Sequence, residues 1–305
     1  MQPSGDRGHL ATELGNPRSV RFDRLTVREA VELMNEEDAG VAGAVRKAQE
    51  GIARAIELVV EAFRGGGRLI YVGAGTSGRL GVLDATECPP TFLTDPSTVQ
   101  GVIAGGIEAL TKSVEGAEDS ETAGAAAMDE RQVDRRDVVF AIATGGTTPF
   151  VHGAIRRATE RGAKTVFLAC VPAEQVEDEA DVSIRVITGP EVITGSTRLK
   201  AGTATKMVLN MVTTIAMTQV GKVYGNLMVD VNTSANAKLR DRGERMLQAM
   251  TGVSLSRAGA LLDAAGGRVK TALVMHAREV DREQAEALLT ACGGRVGDVI
   301  ELRGN

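Results

Sequence analysis

The stretch GAGTSGRLGVLDATECPP, residues 73–90, sets Gly73, Gly75 and Gly78 around two hydroxyl side chains, Thr76 and Ser77. An apolar run, RLIYVG, leads into it. A strand that ends in a glycine turn and feeds a helix presents backbone N–H groups at the positive end of the helix dipole. That arrangement binds anions, and neighbouring hydroxyls suit a phosphate monoester. The pattern recurs where DVVFAIA (137–143) runs into ATGGTTP. There Thr144, Thr147 and Thr148 surround Gly145-Gly146 before a helix begins at Pro149. Two carboxylates stand beyond the turns. Glu87 closes the helix launched by the first turn, and Cys88-Pro89-Pro90 is expected to break that helix after about ten residues. Glu118 lies in VEGAEDS, past a Gly105-Gly106 turn. Two carboxylates held at different pKa values can act as general acid and general base. Asp84, Glu115 and Asp119 are close enough in sequence to be rivals.

Gly73, Gly75 and Gly78 also spell the G-x-G-x-x-G of dinucleotide-binding loops, with Asp95 in roughly the position of the ribose acid, about 20 residues on. Two features disagree. The helix after the glycines is expected to be short, and Asp95 precedes the second strand rather than ending it. The loop is therefore read as holding a phosphorylated small molecule, with no nicotinamide or flavin cofactor expected.

These turns need a sheet to carry them. RLIYVG (68–73), TVQGVIA (98–104), DVVFAIA (137–143), KTVFLAC (164–170) and VSIRVI (182–187) are continuous apolar runs, the pattern of parallel strands covered on both faces. Helical sequence lies between them, notably PFVHGAIRRATERG (149–162). The expectation is a doubly wound α/β protein with a parallel five-stranded sheet. Before the sheet, Thr26 and Glu29 form a capping box for VREAVELMNEED, and a longer amphipathic helix is expected over 39–64. Residues 197–220 read as one long buried helix. From about 235 the sequence becomes a series of short helices, beginning with SANAKLRDRGERMLQAM, a small helical module. The expected domains are a tail with helices (1–58), a sheet domain that holds the phosphorylated molecule (59–222) and a C-terminal helical module (223–305). At least the first ten residues, rich in Gly, Pro, Ser and charge, are expected to be mobile.

Composition narrows the function. The 305 residues carry a formal net charge of −5, with 43% hydrophobic and 25% charged residues. Lys and Arg form no stripe, and there are two Tyr, six Phe and no Trp, so no nucleic-acid partner is expected. No apolar run approaches the ~18 residues of a membrane span, and the N-terminus has no signal-like apolar segment. A cytoplasmic protein without a membrane partner is expected. Cys88, Cys170 and Cys292 are scattered and read as free thiols. His9, His152 and His276 lack ligand spacing, so no metal is expected.

One further stretch, GPEVITGSTRLKAGTATK (189–206), is long and distinctive. With it, TELGNPRSVRFDRL (12–25), MNEEDAGV (34–41), GGGRLIYVGAGTSGRLGVLDATECPPTF (65–92), VIAGG (102–106), VEGAEDS (114–120) and GKVYGNLMVDV (221–231) resemble the N-acetylmuramic acid 6-phosphate etherases. These are sugar isomerase (SIS) domain proteins related to the glucokinase regulatory proteins. The resemblance extends over nearly the whole chain. It implies a cofactor-free lyase that eliminates the D-lactyl ether at C3 of N-acetylmuramic acid 6-phosphate and adds water, giving N-acetylglucosamine 6-phosphate and D-lactate.

By the same resemblance, Glu87 is the expected proton donor to the departing lactate and Glu118 the partner base. Thr76, Ser77 and Thr148 are expected to hold phosphate, with Ser196 and Thr197 lining the site and Glu191 accepting from sugar hydroxyls. Arg198 and Lys200 have two readings: facing the anionic substrate, or pairing structurally with Glu191 or another acid. The family reads Ser-Gly-Arg-Thr-Pro in the second turn where this chain has Gly145-Gly146-Thr147-Thr148-Pro149, so one serine hydroxyl and one arginine are absent. Two other functions fit part of this: a non-catalytic phosphosugar sensor, which normally has a second SIS domain, and an aldose–ketose isomerase, which needs no acid at a C3 ether. A homodimer is expected, with the first helix and the helix at 197–220 as candidate contacts.

Overall fold

A computed structural model describes residues 7–231, 233 and 237–301. The expected mobility of residues 1–6 and the first residues of the SANAKLRD segment fall outside that range. Five strands form: β1 (Leu69–Gly73), β2 (Val99–Ile103), β3 (Val138–Ile142), β4 (Lys164–Ala169) and β5 (Val182–Arg185). All pair in parallel, in the order β2-β1-β3-β4-β5. β1 lies in register between β2 and β3, with Gly73 opposite both Ile103 and Ile142. The chain therefore leaves β1 to one side for β2 and returns on the other side for β3. The turns after β1 and β3 flank this switch point, where open α/β sheets bind ligands.

Helices cover both faces. α1 (Val27–Asp38) carries the expected capping box at Thr26 and Glu29. The single helix expected over 39–64 is two, α2 (Val41–Lys47) and α3 (Gln49–Arg64), separated at Ala48. α3 buries Ile52, Ile56 and Val59 and crosses β5 where Gly51 approaches the Ser183 carbonyl. α4 (Gly75–Phe92) follows β1, α5 (Glu121–Glu130) precedes β3, and α6 (Pro149–Glu160) follows it. α5 and α6 pack backbone to backbone. A Cβ on Gly124 would lie 1.9 Å from the Phe150 carbonyl oxygen, and one on Gly153 2.0 Å from that of Glu121. Beneath them, Ile70, Val72 and Val139 pack with Met128, Phe150 and Ala154. α7 (Lys200–Gln219) is the long helix.

Two expectations need correction. α4 does not stop at Cys88-Pro89-Pro90: it continues through both prolines to Phe92. Cys88 and Phe92 are buried, and that burial outweighs the backbone hydrogen bonds that proline forgoes. Nor does the expected mobility of the first ten residues extend to Leu10, which is held in the core. Leu10 is buried against Ala141, Ile155 and Phe167, and the Gln175 amide clasps the backbone at His9 and Ala11.

The chain forms two compact units. The first comprises the residues up to Ala85 and Ser97–Thr213, so it holds the N-terminal helices as well as the sheet. The second comprises Thr86–Pro96 and the residues from Thr214 onward. It contains α8 (Ala237–Thr251), α9 (Leu255–Ala264), α10 (Val269–Arg278), α11 (Arg282–Ala291) and α12 (Val296–Glu301), around a core that includes Leu247, Leu262, Val269, Ala272 and Val299.

Candidate active site

The first turn is shaped by glycine at each point where a side chain would collide. A Cβ on Gly73 would lie 2.7 Å from the Gly78 nitrogen, and one on Gly78 would lie 2.6 Å from Ile103 Cγ1 and 2.8 Å from the Gly73 oxygen. Gly75 adopts φ +53, which glycine takes without strain. Helix α4 is thereby pressed onto the sheet at its first turn, where its leading amides precede the helix's own hydrogen-bond ladder. Ser77 is buried there and Thr76 partly exposed.

The second turn leads into α6. Thr148 is the residue before Pro149 at the N-cap position, and its hydroxyl makes no capping bond. His152, in the first turn of α6, reaches back six residues, its Nε2 donating to the Gly146 carbonyl at 2.7 Å. Gly146 itself has φ +82. Sequence reasoning assigned His152 no role, and no helical spacing marks its bond to Gly146, which lies six residues back in the turn ahead of α6.

The signature stretch supplies a third wall. α7 starts at Lys200 rather than Thr197, because the Glu191 carboxylate accepts from the amides of Lys200 and Ala201 at 3.0 and 2.9 Å. Ser196 and Thr197 therefore sit in the loop ahead of the helix, partly exposed. α7 begins beside the first turn: a Cβ on Gly202 would lie 3.6 Å from Thr76 Cγ2 and 3.5 Å from the Thr197 oxygen.

Glu191 differs from expectation. Its carboxylate is 0% exposed and both oxygens are engaged by the helix terminus, so it fixes α7 rather than offering an open acceptor to sugar hydroxyls. Burial raises its pKa, with the two amide bonds and Lys200 pulling the other way. Beside it, burial and the Glu191 charge push the Cys170 thiol up to about 12, so Cys170 stays a neutral buried thiol.

Lys200 is buried as well. Its ammonium pairs with Glu37 at 2.6 Å, where Asn16 and Arg18 also donate. The acidic partner of Lys200 is Glu37 rather than Glu191. Arg198 is exposed. Asp84, a rival carboxylate on sequence grounds, joins the wall through Lys206, to which the sequence assigned no role. Asp84 is buried and accepts from Tyr71 Oη at 3.1 Å and Lys206 Nζ at 2.8 Å, tying α4, β1 and α7 together.

Of the two carboxylates, Glu118 lies in a short turn of 3-10 helix (Ala117–Asp119) after left-handed Gly116. It lines a cleft of about 300 Å³ together with Gly75, Arg79, Lys112 and Glu115. Arg79 holds the far wall by donating to the Leu110 and Lys112 carbonyls. The cleft thus joins the first turn of α4 to an exposed carboxylate. Glu87 is exposed on α4, in the Thr86–Pro96 segment of the second unit. Among the described residues no group of three or more His, Cys, Asp or Glu could hold a metal, and no helix is long and apolar enough to cross a membrane.

The parallel sheet and the hydroxyl-bearing turns at its switch point define a SIS-domain protein. Residues 51–159 match the glucokinase regulatory protein N-terminal SIS domain, and residues 111–215 the SIS domain. A solved structure from Bacteroides fragilis, described as a candidate phosphosugar isomerase involved in capsule formation, shares the fold at a TM-score of 0.51 and 18% identity, covering 70% of this chain and 99% of that one.

The N-acetylmuramic acid 6-phosphate etherase of Gloeobacter violaceus is 59% identical over 89% of this chain and 88% of its own length. That of Nostoc punctiforme is 56% identical over 92% and 91%. The chain belongs to the N-acetylmuramic acid 6-phosphate etherase family, a family of enzymes.

Proposed function

We propose that the protein cleaves the D-lactyl ether of N-acetylmuramic acid 6-phosphate by elimination and hydration, releasing D-lactate and N-acetylglucosamine 6-phosphate for reuse of cell-wall amino sugar. With the sugar ring open, the C1 aldehyde acidifies the C2 proton. A base removes that proton, an acid protonates the C3 oxygen as lactate departs, and water adds to the resulting double bond at C3. The C3–O bond breaks as lactate leaves and re-forms to water, and each of these changes needs only a proton moved at C2, at the departing oxygen or at the water, for which positioned carboxylates suffice.

Glu118 is assigned as the base at C2 and Glu87 as the acid at the C3 oxygen. Thr76, Ser77 and Thr148, with the leading amides of α4, hold the phosphate. Ser196, Thr197 and Arg198 line the sugar and lactyl end, Arg198 supplying a cation for the lactyl carboxylate. Glu191 and Lys200 act by holding α7. The observation that carries this reading is the cleft that joins Gly75, in the first turn of α4, to Glu118. A phosphate at that turn leaves its sugar beside a carboxylate. The residues from about 59 to 222 are proposed as the phosphosugar-binding domain, and the working form as a cytoplasmic homodimer. α1 buries none of its residues, and Val27 is 84% exposed on it, which supports its use as a contact.

Incubation with N-acetylmuramic acid 6-phosphate in D2O tests the assignment. Wild-type protein releases D-lactate. Glu118→Gln loses both lactate release and deuterium uptake at C2, by about 10²–10⁴-fold. Glu87→Gln loses lactate release but still exchanges the C2 proton. Absence of lactate with wild-type protein overturns the reaction, and the reverse pattern in the two variants exchanges the roles.

A further inference from the structure

We infer that the second unit carries an anion site of its own, for a small organic phosphate monoester. It is a cleft of about 490 Å³ with Lys222, Asp230, Arg268, Lys270 and Glu286 among its lining residues. That volume is within the range of small-molecule sites.

The charges around it do not balance. Lys222 and Lys270 both direct their ammonium groups at one oxygen, Asp230 Oδ2, at 3.1 and 2.8 Å. The Lys270 side chain is 11% exposed. Glu286 is shared in the same way, by Arg268 at 3.5 Å and Arg282 at 2.9 Å. Each carboxylate therefore serves two cations. Arg268 and Arg282 stay solvated, at 62% and 48% exposed, but Lys270 is largely out of water, where a shared carboxylate leaves its charge incompletely matched at a cost. Burial depresses the pKa of Lys270, Asp230 only partly opposing it, and Lys222 adds to the depression. This ammonium is short of negative charge.

A phosphate monoester carries about −1.5 to −2 at pH 7, which would make good such a deficit. Lysines on flexible stems suit it as point charges that adapt to three phosphate oxygens. Leu93 and Leu289 line the same cleft and give a carbon skeleton somewhere to lie. Leu93 also has φ +51, a conformation leucine adopts at a cost and one that clusters at ligand sites. Lys222 and Asp230 belong to GKVYGNLMVDV, a stretch the ether-cleavage reading leaves without a role. The site uses residues of the second unit alone and does not depend on that reading.

Hydrogen exchange of the full chain, followed by mass spectrometry, tests it, with glycerol 3-phosphate as the probe and D-lactate as a carboxylate control. Glycerol 3-phosphate is expected to slow exchange in 221–231 and 266–271, and D-lactate is not. Lys270→Met weakens calorimetric affinity for the probe in this site by at least about tenfold. Arg268→Gln, at a position 62% exposed and so harmless to folding, weakens it about threefold. The inference is overturned if glycerol 3-phosphate protects neither segment, if D-lactate protects both equally, or if protection persists unchanged in the Arg268→Gln and Lys270→Met proteins. Lactate release from N-acetylmuramic acid 6-phosphate is read separately, so failure here leaves the proposed reaction standing.

Discussion

Thr12 Oγ1 lies 3.7 Å from the point where a side chain on Gly145 would begin. The hydroxyl is buried and has no hydrogen-bond partner among the described residues. Gly145 stands where the family's second turn carries serine, so a hydroxyl at 145 would come within reach of the unmet one on Thr12. The N-terminal segment is therefore part of the wall behind the second turn.

Gly145→Ser is expected to raise stability by about 1 kcal/mol, since satisfying a buried polar group is worth roughly that much. Thr12 Oγ1 is the one atom found near a Cβ at 145, and the backbone there is not left-handed, so the side chain enters without strain. Thr12→Val, which removes a hydroxyl with nothing to bond, is expected to be neutral. Urea denaturation reads both. A serine variant with an unchanged or lower midpoint means that the two hydroxyls do not meet.

Glu37 and Lys200 are expected to respond unequally to truncation. Glu37→Ala leaves the Lys200 ammonium, 6% exposed, without its carboxylate, at a cost of about 3–5 kcal/mol. Lys200→Met removes the cation and leaves Glu37 with Arg18 and Asn16, so it costs less. Urea melts of both variants at pH 7 give the order, and equal losses would mean that the pair is solvated.

The pH dependence of Glu37 and Glu191 should run in opposite directions. Burial of Glu37 works against ionisation, but Lys200, Asn16 and Arg18 outweigh it and lower its pKa from 4.5. Its stabilisation is present above about pH 4.5 and is lost as pH falls. Burial raises the pKa of Glu191 above 4.5, so its contribution is fullest below that value and declines as pH rises through the raised one. Stability measured from pH 4 to 8 for Glu37→Gln and Glu191→Gln, each against wild type, should show differences of opposite slope. Parallel slopes would contradict the burial argument for Glu191.

Glycine substitutions should divide sharply. Gly153→Ala places a methyl 2.0 Å from the Glu121 carbonyl oxygen, and α5 and α6 must separate to admit it, costing several kcal/mol (about 3 or more). Gly43→Ala, in α2 with nothing within 4 Å of the new Cβ, should stabilise by about 0.4–1 kcal/mol. Thermal melting distinguishes them, and similar shifts would mean that the helix contact can yield.

The sequence alone determined the five strands, because parallel strands buried on both faces are continuous apolar runs, and neighbouring residues suffice to write such a run. It determined the Thr26 cap and the glycine turns for the same reason: each is set by residues within one turn of chain. The family motifs made the reaction legible, and with it the hydroxyl residues at the turns. Tertiary structure alone decided which charges meet. Lys200 finds Glu37 across 163 positions of sequence, and Glu191 turns inward because the start of α7 is brought to it. It also decided that α4 runs on through Pro89 and Pro90, where burial of Cys88 and Phe92 overrides local preference. Periodicity tells which side of an element is apolar. The partner of a charged group depends on which distant residue folding carries to within 3 Å, and no local pattern encodes that.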